Sequence, residues 1–229
     1  MFRVLFTGGG TGGHIYPLAA VAEELQDIAK SRNLTLDFRY FGAPDIFAPV
    51  LNEAGIRVEK IFSAKIRRYF DPRNIFDIPK FFLAIIQLLW KIFWFMPDVV
   101  FSKGGPGALP VVLVARFYRI PILIHESDTI PGLTNRISAK FARRIAISFS
   151  SAASYFKKEA VVTGNPMIRK LLAGSEMEQS AAKKALGFSP DLPLIFFIGA
   201  SSGATRINDF VLDILPELLP GFQVLHQTE

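Results

Sequence analysis

A glycine-rich segment near the amino terminus holds the first residues that could do chemistry. Residues 8–14 read Gly-Gly-Gly-Thr-Gly-Gly-His and join an apolar run, Val4–Thr7, to a helical pattern that begins at Tyr16. Glycines let the backbone approach a ligand closely, and a helix N-terminus offers unpaired N–H groups to an anion. The segment therefore predicts a phosphate-binding loop, and a tight structural turn is the alternative.

His14 stands at the end of this loop, at the start of the predicted helix. Because a helix N-terminus disfavours the charged imidazolium, a neutral ring here could accept a proton from a sugar hydroxyl. We predict that His14 is a general base, with a capping or packing histidine as the alternative. The three histidines lie far apart in the sequence, without metal-ligand spacing, and we expect neither a metal nor another cofactor.

Two more glycine loops follow apolar runs further along the chain. Residues 102–108 follow one such run and include Lys103, and residues 199–204 follow another. Each loop joins a predicted strand to a predicted helix and could hold a phosphate group. Three such loops in one chain predict a polyphosphate ligand shared between two domains.

A polar cluster follows the predicted strand Pro121–His125. It contains Glu126, Asp128 and Asn135, all of them expected at the ligand-binding edge of a sheet. Such side chains could bind sugar hydroxyls or position the catalytic base. A polar loop whose residues cap a helix is the alternative.

A long apolar helix is predicted between residues 75 and 95. Lys80 and Lys91 interrupt it too soon for a membrane span, which needs about 20 apolar residues. A helix lying in the membrane interface is the favoured interpretation, and a buried core helix or an oligomer contact is the alternative. The side chains predicted to meet lipid are Phe82, Ile85, Trp90 and Trp94. Upstream cations that would favour anionic lipid are Lys65, Arg67, Arg68 and Arg73.

The composition allows a folded core and limits the cellular compartments in which the protein is expected. Of the 229 residues 50% are hydrophobic, the net charge is +6 and there are no cysteines. The charge suits a partner with phosphates, such as a nucleotide, an anionic membrane or a nucleic acid, without choosing among them. Because disulfides are excluded and the start does not resemble a signal peptide, we expect a cytoplasmic protein.

Strands alternate with helices along most of the chain, which predicts an α/β fold with a parallel, doubly wound sheet. The alternation breaks after residue 166. We therefore expect a first domain at 1–166, a linker at 167–190 and the start of a second domain at 191–229. Two predicted strands are too few to bury a sheet on both faces, so the natural protein is expected to continue past residue 229.

Five segments form an ordered set of motifs: residues 9–17, 125–126 with 132–135, 162–166, 199–208 and 226–228. Together they resemble the MurG family of glycosyltransferases. The resemblance implies a GT-B fold, with two Rossmann-like domains of which the second is incomplete here. It implies metal-free, inverting transfer of N-acetylglucosamine from UDP-GlcNAc to lipid I, which gives lipid II for peptidoglycan. It also implies a peripheral protein on the anionic cytoplasmic face of the membrane, with no nucleic acid partner.

The resemblance also implies a role for each matching residue. His14 would be the base, with Glu126 beside it as the second catalytic residue. The UDP-GlcNAc contacts would be Thr11, Gly12, Gly13, Asp128, Arg169 and Ser201. The acceptor contacts would be Gly104, Gly105, Gly107 and Asn135. A non-catalytic module that binds a lipid diphosphate, or another nucleotide-sugar enzyme of this fold, is the alternative.

Overall fold

The computed structural model describes residues 1–62, 73–174, 177–199 and 204–228, without the side chains of 45, 73–78 and 174. The chain forms two compact units, Met1–Ile168 and Arg169–Glu229. In both units parallel strands alternate with helices, which confirms the predicted α/β class.

The first unit is built on a parallel sheet of seven described strands in the order β3-β2-β1-β4-β5-β6-β7. The strands are β1 (Phe2–Thr7), β2 (Leu36–Gly42), β3 (Arg57–Lys60), β4 (Val99–Ser102), β5 (Ile122–Glu126), β6 (Arg144–Ile147) and β7 (Ala160–Val162). The chain builds outward from β1 to β3 and then crosses back to place β4 beside β1. The carboxyl ends of β1 and β4 therefore form the topological switch point, where ligands bind in open α/β sheets.

Helices cover both faces of this sheet. They are α1 (Gly12–Ser31), α2 (Ala48–Glu53), α3 (Arg73–Phe95), α4 (Ala108–Phe117) and α5 (Leu133–Ser138), with short 3-10 helices at Asp45–Phe47 and Ser150–Tyr155. One core cluster joins the sheet to α1 and α2, and the other joins it to α3 and α4. The predicted start of α1 at Tyr16 is four residues late. The carbonyl of Thr11 already accepts from the N–H groups of His14 and Ile15, so the glycine loop itself forms the first turn.

The helix α3 is attached to the sheet through its polar side chains. Gln87 accepts a hydrogen bond from the Phe62 N–H at 3.0 Å, and the Lys91 Nζ lies 2.5 Å from a Glu59 carboxylate oxygen. The residues of α3 that are fully buried in the core are Ala84, Leu88, Ile92 and Phe95. After the exposed Lys80, the exposed side of the helix is therefore apolar. Its large side chains, here called the α3 face, are Phe82, Leu83, Ile86, Trp90, Phe93 and Trp94. Ile85, which the sequence predicts to meet lipid, instead lies partly buried against the core.

The second unit contains α6 (Arg169–Gly174), α7 (Gln179–Ala185), β8 (Leu194–Ile198), α8 (Thr205–Leu218) and β9 (Gln223–Gln227). β8 and β9 pair in parallel, with Leu194 opposite Gln223. The range predicted as a linker holds two short helices, and the first of these, α6, is absent from the sequence prediction.

Candidate functional site

A cavity of about 340 Å³ lies beyond the carboxyl ends of β1, β4 and β5. Its walls are the loops that follow these strands, together with α5. The lining residues are His14, Lys103, Gly105, Pro106, Leu109, Glu126, Asp128, Gly132, Leu133, Thr134, Asn135 and Ile137. Sequence motifs more than 100 residues apart thus meet in one place, at the switch point of the sheet.

The loop after β4 approaches the loop after β1 so closely that it requires glycine. Gly104 and Gly105 have φ angles of +82° and +87°, which side chains rarely adopt. A Cβ on Gly105 would lie 2.7 Å from the Gly9 backbone and 3.2 Å from the His14 Nε2. Gly107 differs, because a Cβ there would meet only a carbonyl oxygen at 3.7 Å.

His14 is half-buried on the cavity wall, and its Nδ1 lies 2.8 Å from the Thr11 Oγ1. Burial, followed by the positive charge of Lys103, lowers the pKa of His14, and Asp128 and Glu126 oppose that shift. The ring is therefore neutral at pH 7. If Nδ1 donates to Thr11, the lone pair of Nε2 beside Gly105 is available to accept a proton. Thr11, a predicted donor contact, thus orients the ring.

Lys103, which lines the cavity, forms a buried pair with His125. The Lys103 Nζ lies 2.8 Å from the His125 Nδ1 and also donates to the Ser127 Oγ, while the His125 Nε2 lies 2.9 Å from the Gly164 carbonyl oxygen. Since a carbonyl oxygen only accepts, Nε2 carries the ring proton and Nδ1 accepts from lysine. Burial lowers the pKa of Lys103 to about 8, and burial together with Lys103 lowers the pKa of His125 to about 4. The pair therefore presents one positive charge at neutral pH.

Glu126, a predicted catalytic residue, organises the loop that follows β5. Its carboxylate accepts from the N–H groups of Asp128 at 2.9 Å and Gly132 at 3.0 Å, and from the Asn135 Nδ2 at 3.0 Å. Asn135 also donates to the His125 carbonyl oxygen. The Asn135 Oδ1 is buried with no hydrogen-bond partner among the described residues, and it packs so closely on the next loop that a Cβ on Gly104 would lie 2.6 Å from it.

The other predicted contacts lie outside the cavity lining. Gly12 and Gly13 belong to the first turn of α1, and Arg169 begins α6 in the second unit. Ser201 lies outside the described residues, as do Lys65, Arg67 and Arg68. Among the described residues, no group of three or more histidine or acidic side chains is placed to hold a metal ion. The expectation of metal-free chemistry stays a prediction.

The pairing of Lys103 with His125 is the part of the site that sequence reasoning missed. The signal for it is the strand register. Ser102 on β4 lies opposite Ile124 on β5, so the next residues of the two chain segments, Lys103 and His125, lie side by side. That register becomes visible only when β4 and β5 are known to be neighbours.

Residues 4–147 match the glycosyltransferase family 28 N-terminal domain. The chain belongs to glycosyltransferase family 28. The matched residues run from β1 to β6 and include every residue that lines the cavity. The cavity therefore lies entirely within the matched domain.

Among curated proteins, a Bacillus cereus relative of this family 28 chain is named UDP-N-acetylglucosamine–N-acetylmuramyl-(pentapeptide) pyrophosphoryl-undecaprenol N-acetylglucosamine transferase 2. It is 39% identical over 228 residues, which cover 99% of this chain and 62% of the relative. The chain thus spans less than two thirds of that relative's length.

Two solved structures share the family 28 chain's fold. MurG from Acinetobacter baumannii matches with a TM-score of 0.64 at 24% identity, over 100% of this chain and 59% of that one. A UDP-GlcNAc 2-epimerase from Neisseria meningitidis, bound to UDP-GlcNAc, matches with a TM-score of 0.66 at 18% identity, over 100% of this chain and 66% of that one. At these identities the likeness concerns the fold alone.

Proposed function

We propose that this chain is the acceptor-binding and membrane-docking part of an inverting N-acetylglucosaminyltransferase. The donor is UDP-GlcNAc and the acceptor is a lipid-linked muramyl pentapeptide diphosphate, so that lipid I becomes lipid II in peptidoglycan synthesis. The relative from Bacillus cereus carries this activity in its name. The observation that carries the proposal is the convergence of two motif segments, 9–17 and 125–135, on one cavity with a neutral histidine in its wall.

In the proposed reaction His14 accepts the proton of the attacking acceptor hydroxyl through Nε2. The hydroxyl oxygen forms a bond to the anomeric carbon of N-acetylglucosamine, and the bond from that carbon to the UDP oxygen breaks, with its electron pair leaving on UDP. Asp128 and Glu126 stabilise the imidazolium that results, since both raise the pKa of His14. The buried ammonium of Lys103 offers a positive charge to a diphosphate.

The remaining predicted contacts are part of the same proposal. The donor contacts are Thr11, Gly12, Gly13, Asp128, Arg169 and Ser201. The acceptor contacts are Gly104, Gly105, Gly107 and Asn135. Gly105 and Asn135 line the first cavity, which supports acceptor contacts there.

The α3 face is the proposed membrane-docking surface. No helix in the described part of the chain is both long and apolar enough to cross a bilayer. Gln87 and Lys91 point inward, toward Phe62 and Glu59, so the exposed surface of α3 after Lys80 is apolar and suits contact with lipid. An anionic membrane suits the net charge of +6. We place this surface on the cytoplasmic leaflet, where the proposed donor is available.

The proposal is tested by incubating the product of the complete reading frame with labelled UDP-GlcNAc and a lipid I analogue in vesicles. We expect a labelled disaccharide lipid, and we expect His14→Ala to reduce its rate of formation by about 100-fold or more with binding retained, as for loss of a general base. Acceptor binding without transfer would contradict the proposal in favour of a non-catalytic module. Conversion of UDP-GlcNAc to its 2-epimer would contradict it in favour of an epimerase.

A further inference from the structure

A second cavity, of about 630 Å³, adjoins the first along α5. Leu133 and Ile137 line both cavities. Asn135 lines the first cavity alone, and Arg136 lines the second alone. The helix α5 is therefore a shared wall, and a ligand seated in the first cavity can extend across it into the second.

The second cavity is lined by cations around an aromatic surface. Arg136, Lys140 and Lys157 are exposed, and the Arg136 guanidinium lies 5.8 Å from the centre of the Tyr155 ring. Phe156 completes the aromatic surface. Among the described residues no carboxylate lines the cavity, and none of these three cations forms a salt bridge there.

Such a cavity suits an anionic group attached to a partly apolar chain. A guanidinium binds a carboxylate with two parallel hydrogen bonds, and a nearby ammonium strengthens the interaction. We infer that the second cavity binds the peptide arm of the acceptor through its C-terminal carboxylate, while the sugar lies in the first cavity. This inference rests on the proposed function, in which the acceptor sugar carries a pentapeptide.

The position of the cavity favours the peptide over a lipid headgroup. The helices α3, α4 and α5 lie side by side on one face of the sheet, with α4 in contact with both of the others. The α3 face, where we place the lipid, is therefore separated from the second cavity by a whole helix. The peptide arm, by contrast, is covalently attached to the sugar that the neighbouring cavity holds.

The test measures binding of a soluble N-acetylmuramyl pentapeptide to the full chain by calorimetry. The same compound with a C-terminal carboxamide removes the charge without any change to the protein. The test variant is Arg136→Gln with Lys140→Gln. The matched control is Arg57→Gln with Lys60→Gln, since these two exposed cations lie on β3, the edge strand opposite β7. Lys158 is left unchanged, because its Nζ donates to the Ala142 carbonyl oxygen at 2.6 Å.

We expect amidation to weaken binding to the unaltered chain by about ten-fold, the size of one charge-assisted hydrogen bond. The test variant should bind the acid as weakly as the unaltered chain binds the amide, and amidation should have no further effect on it. The control variant should behave like the unaltered chain.

Equal affinity of the unaltered chain for acid and amide would overturn the inference and leave the proposed function intact. Absence of binding by both compounds would overturn the proposed function and the peptide site with it. If acid and amide bound alike while the test variant lost binding to phosphatidylglycerol vesicles without acceptor, the cavity would be a lipid headgroup site. That outcome would also overturn the inference.

Discussion

Lys103 and His125 show how burial sets the charge state of a site. His125 is 2% exposed and Lys103 is 4% exposed, so water solvates the charged form of neither side chain. A protonated His125 would face the Lys103 ammonium, and its Nδ1 would lose the ability to accept. The neutral histidine is therefore part of what holds the lysine in place, and the lysine in turn helps to keep His14 neutral.

The pKa of His125 predicts a loss of stability in acid. With a folded pKa of about 4 and an ordinary value of 6.5, only the unfolded chain binds this proton between those pH values. The free energy of unfolding should fall by about 3 kcal/mol from this residue between pH 7 and pH 4, at about 1.4 kcal/mol per pKa unit. Urea unfolding at several pH values, compared with His125→Gln, measures it.

The comparison with His125→Gln cancels the titration of all other groups. The two chains should differ in stability most at pH 7 and progressively less toward pH 4, because only the native histidine loses stability in acid. A constant difference across this range would show that His125 does not resist protonation in the folded chain.

The contact between the loops after β1 and β4 predicts a sharp difference between two neighbouring glycines. Gly105→Ala forces a side chain into positive φ and onto the Gly9 backbone, and should lower the free energy of unfolding by about 2 kcal/mol or more. Gly107→Ala should change it by about 0.5 kcal/mol or less, because its backbone is ordinary and its neighbour is 3.7 Å away. Urea denaturation of both variants gives the comparison, and similar losses would contradict the close approach.

The α3 face predicts a surface-specific effect on membrane binding. Trp94→Glu replaces an apolar side chain that is 66% exposed with a charge, and should reduce sedimentation with anionic vesicles by about ten-fold or more. Ile46→Glu is the matched control, because Ile46 is 78% exposed but lies in the 3-10 helix before α2. Equal effects of the two changes would indicate a general charge effect, and no effect of either would place the membrane elsewhere.

The elements show what periodicity can and cannot predict. The helix α4 and the strand β8 have the predicted bounds, because each is an apolar run bordered by glycine or a turn and interrupted in α4 only by Arg116. The start of α1 is different, since glycine has a low helix propensity and only the hydrogen bonds to the Thr11 carbonyl show that the loop is helical. The short helix α6 is mostly exposed, so no buried side of it imposes a helical spacing of apolar residues from which it could be predicted.

The sequence predicts which loops form the candidate site, but it does not predict which residues of those loops contact one another. Glycine motifs and strand ends place His14, Glu126 and Asn135 at one edge of a sheet, and all three line the cavity. The order of the strands cannot be read from local patterns, since it depends on which neighbours pair. The closeness of Gly105 to Gly9 and of Lys103 to His125 follows from that order alone.

The first cavity and the proposed docking surface both lie in the first of the two units. The crossover from β3 to β4 is the long helix α3, so the connection that creates the switch point also provides the apolar face. One topology thus produces both features: the cavity at the carboxyl ends of β1 and β4, and the docking helix between β3 and β4. The acceptor side of the proposed reaction needs only the first unit.

A chain shortened to Met1–Ile168 should therefore keep both proposed binding activities. Both core clusters of the seven-stranded sheet lie within it, and Ile168 packs against one of them. We expect a cooperative unfolding transition, with affinities for anionic vesicles and for the soluble muramyl pentapeptide within about two-fold of the full chain, since sites that share no partners act independently. Circular dichroism, sedimentation and calorimetry measure these. A folded short chain that had lost pentapeptide binding would show that the second unit contributes to the acceptor site.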